Sequence, residues 1–171
     1  MTVCRLPSPL GELRLAAAET GLCALTFSGQ RYEALHIPPG TPEGDSPLLC
    51  VGRDWLERYF AGEDPEPAAL PLELRGSAFQ RRVWAALRAI PYGETRSYAA
   101  LARALDSSPR AVGGAVGRNP LAILIPCHRI VGADGALTGY AGGLDRKRWL
   151  LRHEGIGRTA LSSPHRSVRT D

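Results

Sequence analysis

The sequence predicts an α+β chain in two modules, a small antiparallel sheet followed by a largely helical half. Three observations carry that prediction. Residues 3–28 alternate loosely between apolar and polar and are broken by Ser8-Pro9-Leu10-Gly11 and Glu19-Thr20-Gly21, the punctuation of short antiparallel strands. Beyond residue 46, apolar residues recur chiefly at helical spacing. The charge also divides: residues 1–75 carry 6 arginines against 11 acidic residues, a net −5, whereas residues 76–157 carry 12 arginines and lysines against 5 acidic residues, a net +7. Such asymmetry suggests separate modules, the second facing a polyanion.

In the first module, domain 1–75, strands are expected near 3–6, 11–18 and 22–28. Pro38-Pro39-Gly40-Thr41-Pro42 reads as a loop. Leu48, Leu49, Trp55, Leu56, Tyr59 and Phe60 then recur at helical spacing, with Ser46 as cap, Pro47 at the first position and Gly62 at the end. Residues 63–75, with Pro65, Pro67 and Pro71, read as an extended linker. Nothing here looks catalytic. Cys4, Cys23, Cys50 and Cys127 form no Cys-x-x-Cys pair, so no metal site is expected, although Cys4, Cys23 and His36 could meet in space. No apolar run is long enough to span a membrane and the first residues do not resemble a signal peptide, so a cytoplasmic protein with reduced thiols is expected.

The second module, 76–157, opens with Ser77 as cap for a helix whose stripe is Phe79, Val83, Trp84, Leu87 and Ile90. Pro91-Tyr92-Gly93 stops it. Tyr98, Leu101, Ala102 and Leu105 mark a short second helix. Ser108-Pro109 caps and starts a third, and two short helices joined by a tight turn read as a helix-turn-helix or an ordinary helical hairpin. The third helix contains Gly113, Gly114 and Gly117, each costing about 1 kcal/mol against alanine. Glycines there suit close approach, to the Cys127 segment on one face or to a narrow groove of nucleic acid on another. Arg110 lies in its first turn, where the helix dipole also favours phosphate.

The run Ile123-Leu124-Ile125-Pro126-Cys127-His128-Arg129-Ile130-Val131 places a thiol, an imidazole and a guanidinium between two apolar segments. Those segments read as buried strands. A cysteine in such company is either a small buried hydrophobe or a stabilised thiolate, the nucleophilic form. Gly132-Ala133-Asp134-Gly135 reads as a hairpin turn between two short strands, and Tyr140-Ala141-Gly142-Gly143 as a flexible loop. A last helix from Asp145 is expected to turn Trp149 and Leu150 inward and Arg146, Lys147, Arg148 and Arg152 outward. Residues 158–171 read as a disordered tail.

Five motifs in order give the chain a resemblance. Ser97-Tyr98, Arg110-Ala111-Val112-Gly113-Gly114, Asn119-Pro120, Pro126-Cys127-His128-Arg129 and Trp149-Leu150-Leu151-Arg152-His153-Glu154-Gly155, within a match from about Phe79 to Gly155, resemble the O6-alkylguanine-DNA alkyltransferases. The Ser8-Pro9-Leu10-Gly11 turn fits as well. The resemblance implies a ribonuclease-H-like sheet domain and a winged-helix-like helix-turn-helix domain. It implies irreversible, single-turnover transfer of an alkyl group from O6 of guanine, or O4 of thymine, to Cys127, with no cofactor and no metal. His128 would take the thiol proton through a water, Glu154 would orient His128, Tyr98 would give a proton to the leaving guanine, and Asn119 would hold the loops. Ile130, Val131 and Tyr140 would line the base pocket. Arg110, Tyr98, Ala111, Gly113, Gly114 and Arg118 would face double-stranded DNA, with Arg110 filling the stack of a flipped base. The protein would act as a monomer, away from membranes. A non-catalytic sensor of alkylated DNA shares everything here except the nucleophile. A cysteine hydrolase would leave the basic module unexplained, and a helix-turn-helix regulator would leave Cys127 unexplained.

Overall fold

The computed structural model describes residues 1–157, and the tail expected to be disordered lies outside the described residues. The chain divides into two compact units, residues 1–75 with 120–124, and residues 76–119 with the chain from 125 onward.

In the first unit β1 (Thr2–Leu6), β2 (Leu13–Ala17) and β3 (Leu22–Phe27) form an antiparallel sheet in that order. All six residues of β3 are buried, so it is a central element although it stands last in the sheet. Two chain segments explain this by covering its outer edge. At one end Leu22 N donates to Pro71 O and Glu73 N to Leu22 O, both at 2.8 Å. At the other, Leu25 N donates to Pro120 O at 2.8 Å and Ala122 N to Leu25 O at 3.1 Å. Pairing both ends removes the open edge that would otherwise template aggregation. The stretch 63–75, read as an extended linker, is docked at Pro71–Glu73, after a 3-10 turn at Pro67–Ala69. A one-turn helix α1 (Glu33–His36), without sequence signal, precedes α2 (Pro47–Phe60). Ser46 caps α2 by accepting from Leu49 N, and Leu49, Gly52, Trp55, Leu56 and Tyr59 form its buried face.

In the second unit α3 (Ala78–Arg88) starts with a full capping box between Ser77 and Gln80. Its Trp84 is buried and donates from Nε1 to Ala115 O at 2.9 Å. Ser97 caps α4 (Tyr98–Ala104) and Ser108 caps α5 (Pro109–Gly117), so the two short helices form as expected. The run before Cys127 is buried but is not a strand. It is a series of turns in which Ile123 has φ 68°, a left-handed conformation rarely held by a β-branched residue. Only β5 (Ile130–Val131) is extended, and it pairs in parallel with β4 (Arg96–Ser97) rather than through a hairpin. Residues 133–135 form a 3-10 turn closed by Gly132 N donating to Ala136 O at 2.8 Å. Helix α6 (Leu144–His153) buries Lys147, Leu150 and Leu151, with Trp149 half-buried and stacked on His153. Lys147 thus points inward, against expectation. Among the described residues no helix is long and apolar enough to cross a membrane.

Candidate active site

A 3-10 turn at Cys127–Arg129 carries the thiol, the imidazole and the guanidinium on consecutive residues, all buried. With three residues per turn, successive side chains leave about 120° apart, yet His128 and Arg129 both reach one carboxylate while Cys127 does not.

Cys127 faces neutral and cationic groups. Burial pushes its thiol up, and the Asn119 side chain and the Lys147 ammonium offset that rise only in part. Asn119 Nδ2 also donates to Ile125 O at 2.8 Å, tying the turns before the cysteine to the end of α5. Tyr98, the first residue of α4, follows β4 directly, so the β4–β5 pairing sets it beside the strand that leaves the Cys127 turn. Burial, then the charge of Cys127, raise its phenol, while its hydrogen bond with Thr138 works against them. Burial drives the Tyr140 phenol well above its ordinary range. Both phenols are therefore donors at neutral pH. Ile130 and Val131 are fully buried in β5.

His128 and Arg129 meet at Glu154. His128 Nε2 lies 2.6 Å from Glu154 Oε2, Arg129 Nε donates to Oε1 at 2.8 Å and Nη2 to Oε2 at 3.1 Å. Gly93 N adds a fourth contact at 3.2 Å, and Arg129 Nη1 donates to Ile90 O at 2.7 Å. Burial works to raise Glu154, but the imidazole and the guanidinium outweigh it and hold the carboxyl far below its usual range. Burial keeps His128 neutral, outweighing the carboxylate beside it. An ionised Glu154 fixes the proton on Nε2, leaving Nδ1 as the acceptor; Nδ1 is buried and has no hydrogen-bond partner among the described residues.

On α5, Arg110, Ala111, Gly114 and Arg118 at its end are exposed and Gly113 is half-buried. A Cβ added at Gly114 or Gly117 would meet nothing within 4 Å, and one at Gly113 would meet only the Tyr98 ring at 3.9 Å. Close packing against the Cys127 segment therefore does not account for these glycines. Among the described residues no three His, Cys, Asp or Glu side chains gather to hold a metal ion.

Sequence reasoning missed Lys147 and Thr138. The signal for Lys147 was present: the stripe Leu150, Leu151, carried one turn back, lands on residue 147, and one turn forward on Glu154.

A buried thiol ringed by donors, next to a His–Glu pair and below a pair of short capped helices, defines a two-module thiol protein of the nucleic-acid-facing kind. Comparison with known proteins narrows this. Residues 78–156 match the DNA-binding domain of 6-O-methylguanine DNA methyltransferase, and residues 5–74 match its ribonuclease-like domain. The methylated-DNA–protein-cysteine methyltransferase of Mycolicibacterium paratuberculosis is 50% identical over 150 residues, covering 86% of this chain and 88% of the relative. The crystal structure of Mycobacterium tuberculosis OGT in complex with DNA matches with TM-score 0.79 and 42% identity, over 90% of this chain and 92% of that one. The O6-methylguanine DNA methyltransferase of Methanococcus jannaschii matches with TM-score 0.66 and 30% identity, over 89% and 92%. The chain belongs to the methylated-DNA–protein-cysteine methyltransferase family.

Proposed function

We propose that this protein repairs DNA by moving an alkyl group from O6 of guanine onto Cys127, once per molecule. The observation that carries the reading is the Cys127–Arg129 turn, where a thiol faces hydrogen-bond donors and a cation while the next residue is held by Glu154 at 2.6 Å. His128 Nδ1 accepts the thiol proton through a water. The thiolate attacks the alkyl carbon, an S–C bond forms, and the C–O bond to guanine breaks. The guanine anion takes a proton from Tyr98, whose buried phenol is kept protonated until then. Glu154 orients His128, as the third member of a hydrolase triad does. Asn119 holds the loop, and Ile130, Val131 and Tyr140 line the base pocket. A thioether does not return the group, so no turnover follows.

The target carbon lies inside a duplex, and the base must leave the stack. Helix α5 is shaped for approach to DNA: its glycines leave its outer face bare, and Arg110 in its first turn is exposed. Arg110 enters the space of the flipped base, with Ala111, Gly113, Gly114, Tyr98 and Arg118 along the groove. The substrate is double-stranded DNA carrying O6-alkylguanine, and the protein acts as a monomer.

Intact-mass measurement after mixing with a duplex containing O6-methylguanine tests this. One added methyl is expected, mapped to Cys127, and Cys127→Ser should bind DNA without taking it. A methyl on Cys4, Cys23 or Cys50 would overturn the assignment.

A further inference from the structure

Proton donation by Tyr98 needs the phenol O–H to point at the departing guanine. A hydroxyl rotates to suit its surroundings, so a neighbouring group has to set that direction. The second unit supplies one. Strands β4 and β5 pair with Ser97 opposite Val131, so the next residues along, Tyr98 and Gly132, leave the pair at the same end. The chain then doubles back: Gly132 N donates to Ala136 O at 2.8 Å, and the Thr138 side chain comes to lie over Gly132. A Cβ at Gly132 would sit 3.3 Å from Thr138 Cγ2 and 3.5 Å from Thr138 Oγ1. Gly132 has φ −76° and ψ −175°, a conformation open to any residue, so its backbone does not call for glycine. The missing side chain makes room for Thr138 instead.

Thr138 is exposed, so core packing does not account for it. Its hydroxyl forms a hydrogen bond with the Tyr98 side chain. A threonine hydroxyl has one proton to give. Given to the phenolic oxygen, it leaves the phenol's own proton free for another acceptor. Burial, then the charge of Cys127, keep that proton on Tyr98 before reaction. Once the S–C bond has formed, the charge on the sulfur is gone, and the proton is easier to release.

We propose that Thr138 is a positioning residue for the proton-transfer half of the reaction: its hydroxyl donates to the Tyr98 oxygen, aims the phenol proton at the departing guanine, and then holds the phenolate that remains. The inference rests on the alkyl-transfer reading. In this step the Tyr98 O–H bond breaks, the proton passes to the guanine anion, and the negative charge moves to the Tyr98 oxygen, so no further reactant is needed. A hydrogen bond to a charged oxygen is stronger than one to a neutral oxygen. The Thr138 contact therefore tightens as the charge arrives, and an interaction of that kind raises rate rather than binding.

The test uses the full chain in five forms: wild type, Thr138→Val, which keeps the shape and loses the hydroxyl, Thr138→Ser, which keeps the hydroxyl, Tyr98→Phe, and Tyr98→Phe with Thr138→Val. The first readout is single-turnover methyl transfer from an O6-methylguanine duplex at saturation. The second is methylation of Cys127 by methyl iodide, whose leaving iodide needs no proton. Thr138→Val should slow transfer from the duplex about tenfold, leave the methyl iodide rate at the wild-type value, and add nothing in the Tyr98→Phe background. Thr138→Ser should restore most of the duplex rate. Thr138→Ala takes the place of the valine form if that does not fold. An unchanged duplex rate in Thr138→Val overturns the proposal. So does an equal slowing with methyl iodide, a slowing that persists without the Tyr98 hydroxyl, or a serine form as slow as valine, since each marks a disturbed loop. Wild-type protein that takes no methyl from the duplex while methyl iodide still modifies Cys127 overturns the repair reading instead.

Discussion

Helices α5 and α6 both belong to the second unit and are nine and ten residues long, yet they invert the usual distribution of residues. Helix α6 turns polar side chains inward: Lys147 and, just past its end, Glu154 are buried and answered by groups of the chain itself. Helix α5 turns glycine outward, and among the described residues nothing occupies the space that side chains at Gly114 and Gly117 would fill. Neither choice favours stability. Buried charge costs desolvation, and exposed glycine costs helix propensity. The difference teaches that α6 is organised around chemistry inside the protein and α5 around something outside it.

The largest effect is expected on the α6 side. Glu154→Gln should cost about 3 kcal/mol in urea unfolding, because Arg129 would keep its charge in the interior without its carboxylate. Acid should act similarly. Glu154 and His128 both have folded pKa values below their unfolded ones, so the unfolded chain binds more protons as pH falls. Stability should decline below about pH 6.5, where unfolded histidine begins to charge, and more steeply below about 4.3, where unfolded glutamate does. Lys147, held down to about 8 in the fold against 10.5 for a solvated lysine, adds stability as pH rises between those two values. A flat stability profile between pH 4 and 7 would erase the contrast between the helices.

A smaller and opposite result is expected on α5. Gly114→Leu should leave unfolding unchanged or raise stability by up to about 0.8 kcal/mol, while weakening binding to duplex DNA at least tenfold, or about 1.4 kcal/mol. Gly76 is the internal control: a Cβ there would lie 2.6 Å from the Trp84 ring, so Gly76→Ala should destabilise by about 2 kcal/mol and leave DNA affinity of the folded fraction unaltered. Gly114→Leu with normal DNA binding would mean that α5 faces solvent rather than a partner. Arg110→Ala sharpens the point. If the arginine fills the flipped base's place, transfer from duplex should slow by about tenfold at saturating DNA, whereas transfer from the free alkylated base should not change. Equal duplex rates would leave Arg110 as a phosphate contact.

What the sequence reveals follows the range of the forces. Ser46, Ser77 and Ser108, read as caps, are caps in the structure, because capping needs only three neighbouring residues. Residues 123–125 read as a strand because an apolar run reports burial, and burial does not distinguish an extended segment from packed turns. Lys147 was misplaced because charge is ordinarily solvated, and its partners are backbone carbonyls that no side-chain pattern reveals. The docking of Pro71–Glu73 and Pro120–Ala122 on β3 spans about fifty and a hundred residues of sequence and leaves no periodic trace. The pairing of His128 with Glu154, 26 residues apart, is likewise invisible to spacing and was reached through the family resemblance.

The strip 120–124 has a consequence for anyone dissecting this protein. It belongs to the first unit, where Leu25 holds Pro120 and Ala122, yet it lies between Asn119 and Ile125 of the second. A fragment beginning at Gly76 would carry Pro120-Leu121-Ala122-Ile123-Leu124 without the strand that covers it, five apolar residues just ahead of the Cys127 turn. Such a fragment should be sticky on expression and regain solubility when a 1–75 piece is supplied in trans, the two rejoining by strand addition. Protein engineers seeking a minimal alkyl acceptor would do better to keep the acidic half, or to replace those five residues, than to trim the chain at its apparent boundary.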